Sequence, residues 1–218
     1  MRRGHDQFTA FVRHEAPDGI VSSTTDSTGR TVPPDVVEGA ESGLRVGIAA
    51  VFVEGIRRRD PGAIVNAVVA LGATYLPAIL ERQCTVEFRP WQRIYVQTAM
   101  VTHAVGMLGP YDDVWWWDHL THVHSATLLG GLIHVISRRL DVDPRPRVLV
   151  GVATMGVLWE LVEYVAHAAS RQVGLEPVLV SYGKMDTALD LVFNIVGAVL
   201  VLAFGDTLLG NLIRHGDE

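Results

Sequence analysis

Asp118 and His122, then Glu160, Glu163 and His167, then Asp186, Asp190 and Asn194, recur at helical intervals on three successive apolar stretches. Steps of three, four or seven residues put side chains on one face of an α-helix, so each set forms a stripe. Gly197 continues the last stripe, and His103 lies on the stretch before the first. Carboxylates and imidazoles together are donors that Zn, Mn, Fe, Mg or Ca would accept, and residue types alone do not choose among them. A divalent-ion site drawn from Asp118, His122, Asp186, Asp190, His103 and His167 is therefore expected. Glu160 and Glu163 form the catalytic pair of this scheme, one of them spare to act as general base, with Asn194 as polar support.

Each residue also has a plainer role open to it. Asp118 and Asp186 open their helices, where a carboxylate caps free N–H groups and faces the favourable end of the dipole. Glu163 and His167 form an i, i+4 pair, and Asn194 beside Gly197 suits helix packing, as do Gly130 and Gly131. His119, His124 and His134 are read as lying off the Asp118–His122 face and outside the site. Trp159 and Tyr164 are read as packing or interfacial anchors.

What positions these stripes is a series of apolar segments: roughly 42–56, 62–80, 93–110, 118–137, 147–169 and 185–209. Several approach the ~20 residues that cross a ~30 Å hydrocarbon core. No Lys or Arg occurs from Ile94 to Ser137, from Val148 to Ser170, or from Met185 to Ile213. A soluble amphipathic helix keeps cations on its wet face, whereas here they stand in the turns. The expected fold is an all-α, polytopic transmembrane bundle of about six spans over 41–214, the first short and either spanning or interfacial. Residues 1–40, rich in Ser, Thr, Asp, Pro and Gly, are expected to be a polar, disordered tail.

Composition closes off other classes. Among 218 residues the net charge is −6, Lys184 is the single lysine, and no basic run is interleaved with aromatics, which argues against nucleic acid as a partner. Cys84 is the single cysteine, so an internal disulfide or a multi-thiolate metal site is excluded. The first residues lack the apolar core of a cleavable signal peptide. Arg82, Arg89 and Arg93 fall in one turn and Arg138, Arg139, Arg145 and Arg147 in another, whereas the turn 111–117 holds three tryptophans and no basic residue. The positive-inside rule then puts both termini in the cytoplasm of a cell-membrane protein, with Arg57, Arg58 and Arg59 as the exception. All the stripes fall at one depth, near the face of the tryptophan turn. Five carboxylates at that depth without a Lys or Arg partner must hold protons, pair with histidine, face water or bind a cation.

WDHLTH at 117–122, ELVEY at 160–164 and MDTALDLVFNIVGA at 185–198 resemble the uncharacterised inner-membrane family typified by YjdF. The likeness is good over roughly 95–200, weak over the first two segments and absent from 1–40. It implies the same bundle and picks out Asp118, His122, Glu160, Glu163, Asp186 and Asp190, with His103 as a companion, and it implies no reaction. A more distant likeness to VanZ-like proteins departs at His119 and Glu163 and transfers no function. Three functions stay open: a metal-assisted hydrolase or transferase acting on a lipid or lipid-linked substrate, a structural or partner-binding protein whose polar cluster fixes helix packing, and a small ion- or proton-coupled transporter.

Overall fold

A computed structural model describes residues 33–174, 177, 179 and 183–214, and these form helices without strands. In chain order they are α1 (Pro34–Arg58), α2 (Pro61–Ala73), α3 (Leu76–Gln83), α4 (Pro90–Gly106), α5 (Pro110–Asp113), α6 (Trp117–Arg139), α7 (Pro144–Gln172), α8 (Lys184–Leu208) and α9 (Gly210–Ile213). Proline opens α1, α2, α4, α5 and α7, at the position where its missing N–H costs nothing and its fixed φ suits a helix. Side chains cap two of these starts: Asp60 Oδ1 accepts from the Ala63 N–H at 2.9 Å, and Asp143 Oδ1 from the Arg145 N–H at 3.0 Å.

The helices pack as two groups of three. Ile48, Val51, Ala67, Ala70 and Ala104 make an apolar core between α1, α2 and α4. Ala126, Val148, Val152 and Ala198 make a second core between α6, α7 and α8. The groups meet where α4 packs on α6. Mostly small residues fill these cores because no water is expelled between helices in lipid, and close van der Waals approach does the work instead. At Gly197 of α8 a Cβ would stand 2.6 Å from the Cβ of Ala126 on α6, so only glycine permits that crossing.

Large apolar side chains face outward instead. Val150, Val157, Leu161 and Val165 of α7 and Val192 and Val199 of α8 are all more than half exposed, a surface that water would not tolerate. Pro61–Gln83, Pro144–Gln172 and Lys184–Leu208 are long and apolar enough to cross a bilayer. Helix α6 buries His119, Thr121, His122, His134 and Ser137 together with Gly130 and Gly131. It can carry so many polar groups because α4, α7 and α8 pack against it and shield it.

Two segments differ from the sequence reading. The first helix is long, starting at Pro34 inside the stretch expected to be a tail, and Glu41 and Arg45 are structural within it. Glu41 is 4% exposed and is held by Arg45 at 3.1 Å and by Arg93 of α4 at 2.7 Å. The rest of the expected tail lies outside the described residues. The second segment is not one continuous helix but breaks at Thr74–Tyr75. Pro77 removes an N–H and collides with the preceding turn, and the Thr74 hydroxyl donates to the Leu71 carbonyl at 2.7 Å to satisfy the break.

Candidate functional site

The start of α6, the second half of α7 and the start of α8 converge at one end of the bundle. Asp118 and His122 are one turn apart on α6, and Asp190 reaches them from α8. Each offers a ligand atom within 4.8 Å of the other two, forming the metal-capable group found among the described residues. His122 Nε2 lies 3.6 Å from Asp118 Oδ1 and 3.7 Å from Asp190 Oδ1, both too long for hydrogen bonds. Ligand bonds of about 2.1 Å would set donors about 3 to 3.4 Å apart, so a small inward adjustment would close the group on an ion.

The tautomer of His122 strengthens this geometry. Its Nδ1 lies 3.4 Å from Asn194 Oδ1, and in the tautomer that donates to this acceptor the proton is on Nδ1. In the neutral ring Nε2 then turns its lone pair toward two carboxylates. Three electron-rich atoms facing one another call for a proton or a cation between them. Among the described residues no Lys or Arg forms an ion pair with Asp118 or Asp190.

His119 belongs to this cluster, which corrects its assignment to a non-site face. Its Nδ1 lies 3.4 Å from Asp190 Oδ1, and its ring stacks on Phe193 with centroids 4.5 Å apart. Residues 119 and 122 are three apart, about 60° on a helix, so both reach α8. His124 and His134 go elsewhere. His124 Nδ1 meets Thr102 Oγ1 at 3.1 Å, while His134 pairs with Asp206 at 3.0 Å near the opposite face.

The other expected residues are near the group without joining it. Asp186 lies one turn before Asp190 and interacts with it directly. Glu163 accepts a hydrogen bond from Trp159 Nε1 at 2.9 Å and lines the same cavity as Asp118 and His122. Glu160 has one buried oxygen without a hydrogen-bond partner among the described residues. His167 lies one turn beyond Glu163 and outside the group. His103 has both ring nitrogens engaged, Nε2 with Ser125 Oγ and Nδ1 with the Tyr111 hydroxyl, each at 3.0 Å. Burial holds the Tyr111 phenol, in the connection between α4 and α6, well above its usual range, so it stays a donor.

A cavity of about 730 Å³ adjoins the cluster between the two helix groups. Asp118, His122, Glu163, His103 and Tyr111 line it together with apolar side chains such as Met100, Leu129, Val152 and Met155. One guest could therefore place a polar head by the acids and an apolar body against the rest. Sequence reasoning missed His119, Tyr111, Ser125 and Trp159 as parts of this region. The three-residue step to His122 could have revealed His119, but nothing local reveals Tyr111, which a turn delivers.

The match to a known family agrees with the YjdF-like resemblance, and nothing supports the VanZ-like one. No curated protein and no solved structure matches the chain. A family model described as "Predicted membrane protein (DUF2238)" matches residues 41–211, all six long segments, and the chain belongs to that family.

Proposed function

We propose that Asp118, His122 and Asp190 bind a divalent cation and that the adjoining cavity admits a lipid-type substrate, for metal-assisted hydrolysis or group transfer at one membrane face. The observation that carries the reading is the facing of the His122 Nε2 lone pair and two carboxylate oxygens across gaps of 3.6 and 3.7 Å. A bound cation would lower the pKa of a ligated water or polarise a phosphoryl or carbonyl oxygen. Glu163, on the cavity wall, is the base within reach of such a water. Helices α1 and α4 run parallel, because Arg58 at the end of α1 donates to the Leu108 carbonyl after α4, while Arg93 in the first turn of α4 holds Glu41 near the start of α1. With α2 and α3 returning between them, that arrangement supports a reading of six crossings. The arginine-rich turns 81–93 and 138–147 then lie in the cytoplasm with both termini, and the site lies in the outer leaflet of the cell membrane.

The purified protein in detergent should take up a single equivalent of Zn²⁺ or Mn²⁺ in calorimetric titration. Asp190→Asn and His122→Gln should lose that uptake while keeping their helical circular dichroism. Absence of uptake by the folded wild-type protein at micromolar metal would remove the reading. The structural alternative rests on the same distances: a proton shared within the cluster, in place of a cation, would also satisfy the carboxylates. It predicts folded variants that differ from wild type in melting temperature alone.

A further inference from the structure

A second chemical device lies on the cavity wall, made from residues that the cation site does not use. Ser125 is exposed on α6, a helix otherwise largely covered at this depth, and it lines the cavity. Its Oγ lies 3.0 Å from His103 Nε2 on α4, and His103 Nδ1 lies 3.0 Å from the Tyr111 hydroxyl. Tyr111 in turn donates to Thr121 Oγ1 at 3.4 Å, and the Thr121 hydroxyl donates to the Asp118 carbonyl at 2.7 Å.

The direction of this chain can be worked out from its far end. The Asp118 carbonyl can only accept, so the single hydroxyl proton of Thr121 is committed to it. Thr121 must then accept from Tyr111, whose own proton is thereby used. With the phenol proton donated to Thr121, the phenol oxygen accepts from His103 Nδ1, and this is the tautomer we assign to the ring. Nε2 is bare and faces the Ser125 hydroxyl. This is the tautomer a general base needs when it serves a serine, with a third group fixing the ring.

We propose that Ser125 is a nucleophile activated by His103, with Tyr111 as the positioning residue that sets the tautomer, and that it accepts an acyl or phosphoryl group from an amphipathic ester in the cavity. In the transfer, Ser125 Oγ forms a bond to the carbonyl carbon or phosphorus as its proton passes to His103 Nε2. The bond to the leaving alkoxide breaks, and that alkoxide takes the proton from His103. Water then attacks the Ser125 ester, loses its proton to His103, and returns the free hydroxyl. No electron is gained or lost in either half. The inference shares the cavity with the cation site but does not depend on it.

The test uses an alkyl fluorophosphonate on the full chain in detergent micelles, where Ser125 Oγ replaces fluoride on phosphorus. Peptide mass spectrometry should find the adduct at Ser125, with labelling at least tenfold slower in His103→Gln and absent in Ser125→Ala. Tyr111→Phe should lower the maximal labelling rate severalfold without changing the half-saturating probe concentration, a split that a loosened fold would not produce. EDTA should leave labelling unchanged, so failure here and failure of the cation site read out separately. Ser125→Cys, treated with a methanethiosulfonate reagent, reports whether the position can be reached. A thiol that reacts in that variant, beside a wild-type serine that stays unlabelled, would overturn the proposal, as would a position that no reagent reaches.

Discussion

Asn194 of α8 holds the Nδ1 of His122 on α6 at 3.4 Å and so decides which ring nitrogen faces the carboxylates. Partners of this kind orient a ligand and set its tautomer. Asn194→Ala should therefore weaken divalent-metal binding about 10- to 100-fold, the usual effect of losing such a partner, while leaving all three ligand side chains in place. Isothermal titration of both proteins in the same detergent measures this. Equal affinities would mean that Asn194 packs helices and does no more.

Cys84 offers a test of orientation that requires no engineering. It is exposed in the turn after α3, on the face that holds the arginine-rich turns. A membrane-impermeant maleimide should leave intact cells unlabelled at Cys84 and label it once the membrane is permeabilised. Labelling of intact cells would invert the assignment and put the site in the cytoplasmic leaflet.

The close crossing of α6 and α8 should be intolerant of bulk. A Cβ at position 197 would meet the Ala126 Cβ at 2.6 Å and the Val123 carbonyl at 2.9 Å, and neither can yield without moving a helix. Gly197→Val should cost about 1–3 kcal/mol by overpacking, and more where backbone must shift. The lowered melting temperature in detergent should be accompanied by weaker metal binding, because the same crossing brings Asp190 to His122.

Ion pairs in the first helix should separate by depth. Glu41 is buried against two arginines, and Glu41→Ala leaves Arg93 only its longer contact to Glu81 at 3.5 Å, so it should cost about 1–3 kcal/mol. Arg57 is largely exposed and Glu54 keeps Arg58 as a partner, so Arg57→Ala should leave the melting temperature unchanged. Similar losses from both variants would show that α1 is not packed in the bundle as described.

The bundle could be read from the chain because lipid imposes two simple requirements: apolar length, and cations kept to the turns. The convergence of Asp118, His122 and Asp190 was legible for the same reason, since lone acids on three helices at one depth have few directions to face. Its details depended on rotation and pairing, which intervals along one helix do not encode. His119 was placed outside because its own helix was considered without the neighbour that faces it. The residue type of His103 suits a ligand, yet Tyr111 and Ser125 occupy both of its nitrogens, and one of those partners comes from a turn. Pro77 interrupts the second segment without interrupting its apolar run, so hydrophobic length alone does not reveal the break.

The cavity lies between α2, which packs on α1 and α4, and α7, which packs on α6 and α8. Both of those helices turn large apolar side chains outward, so a molecule approaching from that side is already dissolved in acyl chains. Its occupancy would follow mole fraction in a two-dimensional solvent, not molarity in buffer. Diluting the guest with inert lipid at constant bulk concentration would then empty the cavity, whereas adding buffer would not.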